Sequence, residues 1–172
     1  MTRQLKPHTR ALAYDGAIPS LSELVMGVHW SPPEHGGGGA DLDALCVLYD
    51  APGRVLDTIH PGRVRNANGS VVHTGDSLHG ANHWDDERLF VFPEALPGTV
   101  ARLAFVVACA DGRTFDEVPG AVCHVTDHAS EHEWLRLDLT ALRGQRSHTV
   151  ATLRHAGGGW SLAAGANAAD QA

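Results

Sequence analysis

From Ser22 onward the chain breaks repeatedly into short runs of β-branched or alternating apolar residues, each bounded by Gly, Pro, Asn or Asp. The runs occupy 24–30, 42–49, 55–59, 70–73, 88–92, 100–109, 121–126, 133–139, 149–154 and 160–164. No stretch repeats apolar side chains at i, i+3, i+4 and i+7 over several turns behind a capping residue. The pattern therefore predicts an all-β, mainly antiparallel fold, a two-sheet β-sandwich with long loops and few or short helices. A short helical turn is expected around Glu94 or over 139–143.

Individual runs say more about burial. Residues 102–109, Arg-Leu-Ala-Phe-Val-Val-Ala-Cys, are apolar almost throughout and predict a central strand covered on both faces. From Leu135 the next run alternates, with Leu135, Leu137 and Leu139 on one face and Arg136 and Asp138 on the other, as in a half-exposed antiparallel strand. Residues 1–20 read as an N-terminal arm or edge strand, 21–165 as one domain, and 166–172, which lack any large apolar side chain, as a disordered tail. A length of 172 residues suits a single core.

Charge removes one class of function. The net charge is −7, and the 13 Lys and Arg residues are scattered singly, so the footprint of nucleic-acid binding is missing. No apolar run approaches the roughly 20 residues that span a bilayer, and the first residues carry no signal-like apolar region. The chain is expected to be cytoplasmic, with no integral membrane segment; peripheral membrane association stays open. Cys46, Cys109 and Cys123 are odd in number and widely spaced in apolar runs, which fits buried small hydrophobes rather than a disulfide framework or a metal knuckle.

Chemistry concentrates in two acidic segments. In the first, glycines 36–39 precede Asp41 and Asp43; in the second, Gly75-Asp76-Ser77 runs on through Asn82 and His83 to Asp85, Asp86 and Glu87. Residues i and i+2 of an extended segment project to the same face, so Asp41 and Asp43 can present both carboxylates to one cation while Leu42 turns into the core. Glycine before them lets main-chain carbonyls approach the same point. Calcium takes six to eight hard oxygens from such groups, whereas magnesium demands stricter octahedral geometry and is the second choice. The EF-hand pattern is absent. On spacing alone, a solvated acidic loop without metal is the better reading, since Asp and Gly are common turn formers.

Resemblance adds to this. Asp41-Leu42-Asp43-Ala44, then Gly69 to Asp76 reading Gly-Ser-Val-Val-His-Thr-Gly-Asp, then Asp85-Asp86-Glu87 stand in the order and approximate spacing of hallmark segments of the TerD family. Gly27 to Trp30, the 105–107 strand, the 114–127 region and the closing pair around His155 and Trp160 are similar as well, so the likeness spans roughly 22–165. The resemblance implies a β-sandwich that binds calcium at loops clustered at one end and serves bacterial tellurite resistance and chemical-stress response. It implies Asp41, Asp43, Asp76, Asp85, Asp86 and Glu87 as ligands, with Gly75, Ser77, Asn82 and His83 as additional loop contacts. Several family positions are altered: Ser31 and Gly39 stand where the family carries Asp, Ser77 replaces Asn, and Ala81, His83 and Trp84 fall where the family has an acidic run. One calcium ion is therefore expected rather than two.

Other functional classes compete with this reading. His73, His79 and His83 lie close in sequence and could hold zinc, but no HExxH accompanies them, and surface histidines are the simpler reading. No Gly-x-Ser-x-Gly or Cys-His motif is present, and the glycine run lacks the Lys-Ser/Thr of a phosphate loop. The chain is thus expected not to be an enzyme. A zinc- or magnesium-dependent hydrolase and a metal-free interaction domain are the alternatives, and other stress-response proteins or a second copy are the candidate partners. Trp30, Trp134 and Trp160 are expected in the core, and Trp84 either over the metal site or exposed as a contact anchor.

Overall fold

The computed structural model describes residues 14–31, 40–74 and 86–165, and these form two stacked antiparallel sheets. The strands are β1 (Asp15–Ala17), β2 (Leu24–His29), β3 (Leu42–Tyr49), β4 (Val55–Ile59), β5 (Val71–His73), β6 (Glu87–Val91), β7 (Arg102–Cys109), β8 (Val122–Asp127), β9 (Glu133–Asp138), β10 (Ser147–Ala156) and β11 (Gly159–Ala164). One sheet has the order β1-β11-β10-β7-β3-β4 and the other β5-β6-β2-β8-β9. This is the predicted β-sandwich. Helical structure among the described residues is limited to single 3-10 turns at Pro93–Ala95, Phe115–Glu117 and Leu139–Ala141.

Alternation explains how the sheets meet. Along β3, Leu42, Ala44, Cys46 and Leu48 are buried while Asp43, Leu45, Val47 and Tyr49 stand half-buried on the other face. Leu103, Phe105 and Val107 of β7 join them in the core, facing Leu24, Met26 and Val28 of β2 and Cys123 and Val125 of β8. Each fully buried large side chain, such as Phe105 or Leu24, stabilises the fold by roughly 1.5–3 kcal/mol. The β7 strand is central in its sheet, as its apolar run requires. Only one of its faces is in the core, however: Arg102, Val106 and Ala108 are half-buried on or beside the outer face, and Arg102 lies over the Tyr49 ring at 4.0 Å. A two-layer sandwich gives each sheet one dry face, so the expectation of cover on both sides is corrected.

All three cysteines are free thiols. Burial pushes the Cys123 thiol up to about 12. Cys109, which is half-buried, is raised to about 11 by desolvation, with Asp111 and Glu117 adding to it. Trp134 and Trp160 are buried and Trp30 packs half-buried against the core. No helix among the described residues is long and apolar enough to cross a membrane.

The pairing registers set which segments share an end. Leu42 of β3 lies opposite Cys109 of β7, Val28 of β2 opposite Glu87 of β6, and His29 opposite Val122 of β8. The start of β3 and the start of β6 therefore meet at one end of the sandwich.

Candidate metal centre

Asp41 and Asp43 come to the same face at the start of β3, because the buried Leu42 and Ala44 fix the opposite face inward. The Asp41 carbonyl accepts from Ala110 N at 2.8 Å and its amide donates to Asp111 Oδ2 at 3.3 Å. Asp111 also accepts from the Arg113 amide at 3.2 Å and lies 3.5 Å from Arg113 Nε. Sequence reasoning missed Asp111. Its one signal was Asp111-Gly112, a turn that needs the left-handed glycine at φ 84° and so carries the acid back over the start of β3.

The second acidic pair is used differently. The Asp86 amide donates to Val28 O at 2.8 Å, while its Oδ2 accepts from Trp30 N at 2.9 Å and lies 3.2 Å from His29 Nδ1. Asp86 thereby clamps the chain as it leaves β2. Glu87, on the opposite side of the strand, turns inward: Oε2 accepts from Ala44 N at 3.0 Å and Oε1 lies 3.4 Å from His73 Nε2. The side chains of His73 and Glu87 are 0% and 1% exposed.

The reason lies in β3. Its pairing with β4 begins only at Cys46, opposite Ile59, so the Ala44 amide finds no strand partner on that side. An unpaired buried N–H costs about as much as a lost hydrogen bond, and the Glu87 carboxylate supplies the missing acceptor. A buried acid in turn favours a donor or a cation nearby, and the His73 imidazole lies 3.4 Å from Oε1 without a hydrogen bond between the two atoms.

These placements sort the candidate ligands. Asp41 and Asp43, half-buried and on one face, suit a hard cation such as calcium. Glu87 is turned between the sheets, with Oε2 on Ala44 N and Oε1 3.4 Å from His73 Nε2. Asp86 Oδ2 accepts one hydrogen bond, from Trp30 N, and has His29 Nδ1 3.2 Å away. Asp76 and Asp85 lie outside the described residues, as do Gly75, Ser77, Asn82, His83, His79, Trp84 and glycines 36–39. Among the described residues no three His, Cys, Asp or Glu side chains converge in a metal-binding group. His73, read from sequence as a zinc candidate or a surface histidine, is instead a buried partner of Glu87, because β5 turns it into the interior.

Comparison with known proteins agrees with this fold. The family model of the TerD domain matches residues 1–171. Tellurium resistance protein TerZ of Serratia marcescens is 36% identical over 176 residues, covering 95% of this chain and 88% of that protein. General stress protein 16U of Bacillus subtilis (strain 168) is 34% identical, covering 70% of this chain and 67% of its own length. The crystal structure of a homologue of the telluride resistance protein TerD from Streptomyces coelicolor A3(2) superposes with a TM-score of 0.75 at 21% identity, over 86% of this chain and 90% of that one. The chain belongs to the TerD family.

Proposed function

We propose that the chain is a non-catalytic, calcium-binding module of the tellurite-resistance and stress-response kind, holding one ion at the end of the sandwich where β3 and β6 begin. One observation carries the reading: Asp41 and Asp43 share a face immediately before Ala44, the residue whose amide Glu87 grips at 3.0 Å. The acid pair thus stands beside the start of β6, the strand that follows residues 75–85 in the sequence, where Asp76 and Asp85 lie.

In this reading Asp41, Asp43, Asp76 and Asp85 supply carboxylate oxygens, and Asp86 contributes whatever its clamp on Trp30 and His29 leaves free. Glu87 is a structural acid. Calcium would neutralise carboxylates that otherwise repel, and binding only to the folded state adds RT ln(1 + [L]/Kd) to its stability. Relatives named for tellurium resistance and general stress support the physiological half of the proposal.

Calcium titration calorimetry on the purified chain, with the stoichiometry read directly, is the test. A single site is expected. Absence of binding at millimolar calcium, together with equal thermal midpoints in calcium and in chelator, would remove the ion and leave the family's fold as an interaction module.

A further inference from the structure

At the end of the sandwich away from Asp41 and Glu87, a cleft of about 400 Å³ opens between the turn that leads from β1 into β2 and the turn that joins β8 to β9. Pro19 and Leu21 form one wall; Asp127, Ser130, His132 and Trp134 form much of the other. The length of β2 separates it from the acidic end, so it is independent of the calcium reading.

Three features mark the cleft. The first is backbone strain. Among the described residues only Leu21, at φ 64°, and Glu131, at φ 61°, hold a left-handed conformation without being glycine, and they sit in the two turns that frame the opening. This conformation is unfavourable for a branched apolar residue, and Leu21 is nevertheless held 80% exposed.

The second is an orphaned donor. Trp134 is 9% exposed, and its indole Nε1 is buried with no hydrogen-bond partner. Buried indole N–H groups normally have an acceptor. Tyr14 packs on this ring with centroids 4.5 Å apart, and the exposed His132 meets it edge-on at 4.4 Å. His132 is the piece an incoming group would displace.

The third is charge. Asp127 accepts from Glu23 N at 3.0 Å, from Ser130 N at 3.0 Å and from Ser130 Oγ at 2.6 Å. These neutral donors hold it in place without cancelling its charge, and among the described residues no Lys or Arg lines the cleft.

We infer that this cleft docks an extended segment of a partner protein carrying a lysine or arginine beside an apolar side chain. Such a segment answers all three features together. Its main-chain carbonyl accepts from Trp134, its cation neutralises Asp127, and its apolar side chain covers Leu21 and Pro19. A simple amine brings neither the acceptor nor the apolar arm, and a fatty anion is repelled by Asp127.

Selection of displayed random heptapeptides on the purified chain, followed by fluorescence anisotropy of the recovered sequences, tests this. Recovered peptides should share a Lys or Arg adjacent to a large apolar residue. Trp134→Phe, which removes the N–H and keeps the ring, should weaken them about tenfold. Leu21→Gly should weaken them at least as much while leaving the melting temperature unchanged or higher, since glycine accepts the left-handed backbone. Should Trp134→Phe fold poorly, Leu21→Gly decides alone. Failure to recover any sequence, recovery of sequences without a basic residue, or equal affinity for the Leu21→Gly protein would each overturn the inference.

Discussion

The carboxylate of Glu87, on one sheet, accepts a hydrogen bond from the backbone amide of Ala44, on the other, at 3.0 Å. Backbone pairing normally stays within a sheet, so this contact ties the two layers where β4 has run out. It predicts a graded response. Glu87→Gln keeps an acceptor and should lose about 1 kcal/mol, whereas Glu87→Ala strands the Ala44 amide, leaves His73 facing a void and should lose about 3 kcal/mol. Urea unfolding measures both. Because Glu87 is not a ligand in the proposed site, Glu87→Gln should leave the calcium stoichiometry unchanged; loss of binding in that variant would return Glu87 to the metal centre.

Asp41 and Asp43 should behave in the opposite way. The Asp41→Asn, Asp43→Asn double variant removes both carboxylates from one face, so it should lose the part of the stability that depends on calcium. With free calcium at a hundred times the wild-type Kd, the native chain should gain about 2.7 kcal/mol and the double variant nearly nothing. Thermal melts with calcium and with chelator would show it. A gain retained by the double variant would place the ion elsewhere.

The same two segments show what a sequence can and cannot reveal. Strands 42–49 and 55–59 coincide with their predicted limits because alternation and Gly-Pro punctuation are local signals. The Asp41–Asp43 face follows from the i, i+2 period alone. The role of Glu87 was hidden in Asp85-Asp86-Glu87, since it depends on where β4 stops pairing with β3 and on His73 arriving from β5. Those are long-range facts. Asp111 was equally hidden: one Asp-Gly turn looks like any other until β7 brings it beside Asp41. The 3-10 turn at Phe115–Glu117 was missed because it carries neither the proline that opens Pro93–Ala95 nor the side-chain cap that Asp138 gives Leu139–Ala141.

Gly120 supplies a test of how the acidic end is held. It adopts φ 69°, and a Cβ there would collide with Ser31 Oγ, whose own amide donates to Pro119 O at 2.9 Å. Gly120→Ala therefore adds both a left-handed alanine and a clash beside Trp30, which Asp86 clamps. A loss of about 2 kcal/mol or more is expected, measured by denaturant unfolding. Adding Ser31→Ala should recover part of it, the steric share and not the backbone share. Full recovery, or none, would show that only one of the two causes operates.

The pH profile of stability should have two separate limbs. Burial pushes the pKa of Asp127 up, but hydrogen bonds from the Ser130 hydroxyl and the Glu23 and Ser130 amides, with help from His128, outweigh it and leave the carboxyl below its ordinary value. An acid depressed in the folded state adds stability that is complete above about pH 4 and is lost as pH falls through its folded pKa. His148 is held below 6.5 by burial of its imidazole. Below pH 6.5 the unfolded chain takes up a proton that folded His148 resists, so this contribution is complete above that pH and declines on acidification. His148→Gln should flatten the melting-temperature profile just below about pH 6.5 and leave the limb below about pH 4 intact, whereas Asp127→Asn should flatten the lower limb only. If His148→Gln left the slope just below about pH 6.5 unchanged, the desolvation of that imidazole would have no energetic weight.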